Sequence, residues 1–109
     1  MEAWILNTLR RSRGPIRVRD LVRILQDERR VEGENWARRA DPVLGSFSQG
    51  RQVLLRMAPT KYRPYVIELE IIDTVRRMVK ANTISLQLRG HAYDPADRPL
   101  YTDAIVTIN

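Results

Sequence analysis

Val79-Lys80-Ala81-Asn82-Thr83-Ile84-Ser85-Leu86-Gln87-Leu88 is the stretch where the chain changes its hydrophobic period. The spacing falls from about 3.6 residues, a helix, to about 2, a strand. Ile84, Leu86 and Leu88 alternate with Ser85, Gln87 and Arg89, which reads as a half-buried strand. Upstream, a helical pattern runs from about Thr60 to Ala81. Tyr62, Val66, Leu69, Ile72 and Val79 mark its expected buried stripe, widened by Tyr65, Ile71 and Val75. Thr60 is the expected N-cap, Pro64 fits only within the first turn, and Asn82 is the expected stop. Downstream, a loop from about Tyr93 to Pro99 carries Asp94-Pro95 and Arg98-Pro99. A second strand, Tyr101 to Ile108, is rich in Thr, Val and Ile. The two strands are expected to form an antiparallel hairpin with a long loop.

Working towards the N-terminus, residues 33 to 52 read as an extended, turn-rich segment. The short apolar run Gln52 to Met57 suits a helix or a strand equally. Before it, Val18, Leu21, Val22 and Leu25 place one apolar stripe on a helix from about Arg17 to Arg30, which Gly33 is expected to end. Trp4, Ile5 and Leu9 mark a shorter helix over residues 2 to 12, broken by Ser12-Arg13-Gly14-Pro15. The expected fold is α+β in a single domain, residues 1–109. It has two N-terminal helices, one long central helix and a C-terminal antiparallel β-hairpin.

Composition narrows the function classes. The chain has 109 residues, a net charge of +6 and no cysteine. Disulfides, thiolate zinc sites and cysteine nucleophiles are therefore excluded. Of the 19 basic residues, 17 are arginine, a side chain suited to bidentate pairing and to interfaces. No apolar run is long enough for a transmembrane helix, and Met1 to Leu6 lacks the pattern of a signal peptide. His91 is the single histidine, so no transition-metal site is expected. No serine stands in a nucleophile elbow, and no glycine-rich phosphate loop occurs. Glu68 and Glu70 point to different faces of a helix, while Asp94 and Asp97 sit in a turn-rich loop. Neither catalytic residues nor a cofactor nor a small-molecule substrate is expected.

The most unusual local signal is Glu34-Asn35-Trp36-Ala37-Arg38-Arg39-Ala40-Asp41-Pro42-Val43-Leu44-Gly45-Ser46. Pro42 fixes its own φ and turns Asp41 away from helical geometry, and Gly45 permits a positive φ. A rigid corner is expected there, with Trp36 as a bulky plug beside it. An amphipathic helix, the Trp36 turn, Asp41-Pro42-Val43-Leu44-Gly45-Ser46, a polar spacer, a long helix and a strand follow one another. In that order they resemble the baseplate wedge and sheath-initiator proteins of contractile phage tails. Leu54-Leu55-Arg56-Met57-Ala58-Pro59-Thr60 is also similar to the family's approach to its long helix. The likeness covers residues 17 to 108. It departs at Val79 to Thr83, where many members carry Glu-Pro-Arg.

That resemblance implies a structural subunit in the virion, synthesised in the host cytoplasm, whose partners are sheath, tube and wedge proteins. It implies assembly around the tail tube and sheath initiation through strand donation or acceptance. The residues add a physical route, because a two-strand hairpin leaves an unpaired edge that a partner strand can join. The expected assembly edge is the terminal strand, with Tyr101, Asp103, Ile105, Val106, Thr107 and Ile108. The alternative is a winged-helix DNA-binding protein. Its first helices would be Trp4 to Leu9 and Arg17 to Leu21, its recognition helix residues 34 to 44, and its wing Gln52 to Met57. Arg38 and Arg39 would then face DNA.

Overall fold

A computed structural model of the chain describes residues 1–95, 100 and 102–109. Among these it contains four α-helices and a four-stranded antiparallel sheet. The elements are α1 (Glu2–Arg11), β1 (Ile16–Arg17), α2 (Val18–Ala40), α3 (Ser48–Arg56), α4 (Pro64–Lys80), β2 (Ile84–Leu88), β3 (His91–Tyr93) and β4 (Ile105–Ile108). Two 3₁₀ turns, Leu44–Ser46 and Thr60–Tyr62, precede α3 and α4. The α+β expectation therefore holds. The chain divides into two compact units: Met1–Arg23 with Glu68–Asn109, and Ile24–Ile67.

The first unit carries the sheet, in the order β1-β4-β2-β3. β2 forms as its period-2 pattern requires. Ile84 and Leu86 are buried, and Ser85 and Gln87 are exposed. The hairpin differs from expectation. β2 turns after Leu88 through Arg89 and Gly90 into β3, which pairs Leu88 with His91. Both turn residues have positive φ, 54° and 80°, which gives the twist that joins adjacent antiparallel strands through two residues. β3 is three residues long, too short to show a period in sequence.

β4 then pairs with β2 on one side and with β1 on the other. The terminal strand is thus interior to the sheet, and the expected edge at Ile105 to Ile108 is corrected. Among the described residues the outer strands are β1 and β3. The cause is the short Ile16–Arg17 segment, whose two residues pair with Val106 and Ile105. Tyr101, Asp97 and the Arg98-Pro99 dipeptide lie outside the described residues.

The residues just before β4 also start α2. The Val18 N–H donates to Ala104 O at 3.0 Å, and the Arg19 N–H donates to Thr102 O at 2.9 Å. These satisfy amides that a helix start leaves without partners. Asp20 Oδ2 reaches back to accept from the Arg17 N–H at 2.9 Å, as in a capping box. At the far side of the unit α4 ends at Asn82, which takes the left-handed conformation at φ 61°. The Asn82 N–H donates to Val79 O, and the Thr83 N–H donates to Met78 O. That pair of bonds closes the helix as a Schellman motif, so the expected stop is correct.

The core of this unit includes Ile5, Val18, Leu21, Ile71, Val75, Met78, Ile84, Leu86 and Val106. On α4 the buried positions here are Ile71, Thr74, Val75 and Met78. Of the expected stripe, Ile71 and Val75 are fully buried, whereas Leu69 is 61% exposed. The helix's apolar residues extend past the buried positions to Tyr65 and Leu69, so periodicity alone does not fix where the buried stripe ends. Thr74 is accepted at a fully buried position because its hydroxyl donates to Glu70 O at 2.7 Å and accepts from Arg77 Nη2 at 3.2 Å.

The second unit is helical. Gly33 does not end α2, which continues to Ala40 and carries Trp36, half-buried, in its last turns. Glycine inside a helix costs about 1 kcal/mol relative to alanine. Here it allows close packing: a Cβ at Gly33 would lie 3.2 Å from Leu55 Cδ2. The stop comes from Asp41-Pro42, since the residue before proline is turned out of helical geometry. The Gln52 to Met57 run resolves as part of α3, through Arg56. α4 starts at Pro64 rather than at Thr60. Pro64 forces Arg63 to ψ 131° and itself occupies the first helical position.

Candidate functional site

The corner after α2 is built from short-range bonds. Asp41 Oδ1 accepts from the Val43 and Leu44 N–H groups, each at 3.1 Å. Asp41 O accepts from the Gly45 N–H at 2.7 Å. The Ser46 hydroxyl donates to Val43 O at 2.6 Å. Arg51 Nη1 donates to Gly45 O at 3.0 Å and so ties the corner to α3. Asp41, Gly45 and Ser46 thus each take part in the bonds that fix the corner, and Trp36 lies half-buried on α2 before it.

Gly45 serves a different purpose from the one expected. Its φ is not positive, as Gly90 is the only glycine with positive φ among the described residues. It is needed because a Cβ would stand 2.7 Å from Arg38 Cα and 2.8 Å from Ala37 O. Gly50 is tighter still, since a Cβ there would lie 2.0 Å from Leu44 O. Two glycines thus let the 3₁₀ turn press against α2 on one side and α3 on the other. Small residues at close backbone contacts carry no periodic signal, so sequence reading missed this role.

This locked backbone holds apolar side chains in solvent. Val43 is 69% exposed, Leu44 42% and Phe47 57%. Val31, Val53, Met57 and Tyr65, also in the second unit, are half or more exposed. No burial against the unit's own core accounts for them. Large apolar groups left exposed in number mark contact surfaces in soluble proteins.

In the first unit the notable cluster is basic. Arg17, Arg19 and Arg89 surround a cavity of about 620 Å³ with Gln87 and Asp103. Arg19 Nη1 is 2.9 Å from Asp103 Oδ1. In the register, Arg17 opposes Ile105 and Ile105 opposes Gln87, which puts one row across the exposed face of the sheet. Asp103 is therefore an ion-pair partner beside β4. His91 lies on the outer strand β3 and is exposed. No group of histidine and carboxylate side chains with the spacing of a metal site occurs among the described residues.

The alternative placement of a recognition helix is corrected by the same geometry. Residues 34 to 40 are the end of α2, followed by the corner, and Gln52 to Arg56 is helix rather than wing. Arg38 and Arg39 are exposed in the last turn of α2. No helix among the described residues is long and apolar enough to cross a membrane. No protein-family profile, curated protein or solved structure matches the chain.

Proposed function

We propose that the chain is a non-catalytic assembly subunit that binds other proteins. Its specific setting, by resemblance, is a contractile-tail baseplate beside the tube and sheath. The observation that carries the reading is the corner. Val43, Leu44 and Phe47 are exposed on a backbone fixed by the Asp41 and Ser46 bonds and by two glycine close approaches. A rigid apolar knob loses little conformational entropy on docking, which favours tight association. Strand addition remains a second element of this reading. Its place is the outer edge of β3, since β4 has partners on both sides.

A second reading, duplex-DNA binding, is favoured by one observation. In the first unit β4 lies between β1 and β2, after a helix–strand–helix start and a further helix. That order is the one found in winged-helix modules, and Arg17, Arg19 and Arg89 line one cavity beside the sheet. Two features weigh against it. The helix-turn-helix link of about three or four residues is replaced by residues 41–63. The exposed side of α4 also sets Glu68, Leu69 and Asp73 beside Arg76, Arg77 and Lys80, so carboxylates and an apolar group interrupt its cations where phosphates would approach.

One paired experiment separates the readings. The protein is mixed with purified tail-tube and sheath proteins, and separately titrated with duplex DNA across a salt series. Assembly predicts a stable protein complex that the Val43→Ser, Phe47→Ser double variant weakens by about tenfold or more, while the variant stays folded. Selective DNA binding that survives physiological salt, with no protein complex, would reject assembly in favour of the wing.

A further inference from the structure

The second unit contains a groove that the assembly reading does not use. It is about 450 Å³, within the size range of small-ligand sites, and lies between α2, α3 and the segment from Tyr62 to Pro64. Gly33, Leu55 and Tyr62 form its floor. The missing side chain at Gly33 is what lets Leu55 and Tyr62 close on α2, with Leu55 Cδ2 3.2 Å and Tyr62 Cγ 3.5 Å from where a Cβ would stand. One wall is held in place by Gln26, whose Nε2 donates to Pro64 O at 3.1 Å.

The rim has a strong charge bias. Arg29, Arg30, Arg56 and Arg63 line it, with Asp27 as the sole carboxylate among the lining residues. Arg29 is paired outside the lining, its Nε 4.0 Å from Glu32 Oε2, and Asp27 offsets little of the charge of the other three. Its Oδ1 is 4.0 Å from Arg30 Nη2, and both side chains are about two-thirds exposed. Arg63 Nη2 donates to the Arg56 carbonyl at 3.4 Å, a neutral acceptor that leaves its charge uncompensated. Lys61 does not line the groove, but its Nζ lies 5.1 Å from the centroid of the Tyr62 ring.

An apolar, partly aromatic floor under converging guanidinium groups selects one class of ligand. We infer that this groove binds an amphipathic anion: an apolar or aromatic body bearing a carboxylate, sulfonate or phosphate. The body displaces water from Leu55 and Tyr62, and the anionic group takes charge-assisted hydrogen bonds from Arg56 and Arg63. A simple inorganic anion gains nothing from the floor, and a neutral apolar molecule gains nothing from the rim. The inference does not depend on the assembly reading.

The test uses the full chain with anilinonaphthalene sulfonate, an aromatic anion whose fluorescence rises in apolar surroundings. The expected result is saturable one-to-one binding that weakens as salt is raised. Arg56→Gln with Arg63→Gln should weaken it by about tenfold or more, since hydrogen bonds to charged groups are being lost. Gln52→Glu places a carboxylate on the exposed rim and should weaken it in the same direction, while sulfate alone should not displace the probe. The Val43→Ser, Phe47→Ser variant should bind as the parent does, which distinguishes the groove from the exposed apolar knob. Displacement by salicylate identifies a free aromatic acid as the natural class. Displacement by acetyl-Phe-Asp-amide but not salicylate identifies an acidic side chain of a partner. Absent or non-saturating binding overturns the inference. So does binding that ignores both rim variants in protein whose circular dichroism is unchanged.

Discussion

The two units bury themselves by opposite means. In the unit of Met1–Arg23 and Glu68–Asn109, the interior is filled by large side chains such as Ile5, Leu21, Ile71, Met78 and Leu86. In the unit of Ile24–Ile67, Leu25, Leu54 and Ile67 share the buried set with Ala37 and Ala58 and with three glycines, Gly33, Gly45 and Gly50. The exposed surfaces differ in the opposite sense. Leu69 is the sole large apolar side chain exposed in the first unit among the described residues, whereas seven are exposed in the second. A core of large side chains is stabilised by area removed from water. A unit held by backbone contact buries less apolar area and leaves its large side chains for other uses. The contrast therefore separates a part that buries its large apolar side chains from a part that leaves many of them exposed.

Substitutions can break this contrast, and native-state hydrogen exchange can read each unit separately. The largest effect is expected from Ile71→Ala, at a fully buried site of the first unit. Loss of transfer energy plus a cavity should cost about 2–5 kcal/mol in denaturant unfolding. A cost well below that range would mean the first core is loosely packed, and the contrast would weaken.

Gly50→Ala comes next. It adds only a methyl group, but to a position 2.0 Å from the Leu44 carbonyl oxygen, where backbone must move. The expected cost is about 1–3 kcal/mol, with faster exchange confined to the second unit. A neutral result would show that glycine contact does not hold that unit together.

The smallest effect is expected from Gly33→Ala. Helix propensity favours alanine by up to about 1 kcal/mol. The new Cβ meets the end of a flexible side chain, Leu55 Cδ2 at 3.2 Å, which can yield by a few tenths of an ångström. A small net gain in midpoint should result. A clear loss would place Gly33 with Gly45 and Gly50, as a position where no side chain is tolerated.

Much of the first unit was legible in the chain. Alternation at Ile84, Leu86 and Leu88 gave β2, and Asn82 marked the end of α4, because both depend on local spacing and local backbone preference. On α4 Ile71 and Val75 were read correctly as buried, but Leu69 was not, because apolar residues extend past the covered positions and only packing decides where burial ends. In the second unit Gly33 was misread as a stop and residues 33 to 52 as extended, where α2 runs on to Ala40. Local propensity disfavours glycine in a helix by about 1 kcal/mol, and packing against Leu55 and Tyr62 prevails.

The candidate surfaces divide along the same line. The residues of the corner were legible, since Asp, Pro, Gly and Ser each have a local backbone role. That the corner presents Val43, Leu44 and Phe47 to solvent was not, because exposure is a property of what is absent around a side chain. Nor was the groove rim legible, since Arg30, Arg56 and Arg63 come from three separate elements.

By itself the sequence determined the α+β class, the position of β2, the helix stop at Asn82, and the absence of cysteine chemistry. Each follows from interactions within a few residues or from composition. Tertiary structure alone decided that the terminal strand is interior. The two residues Ile16–Arg17 pair with Val106 and Ile105 from the far end of the chain, and a contact so short and so distant leaves no periodic trace.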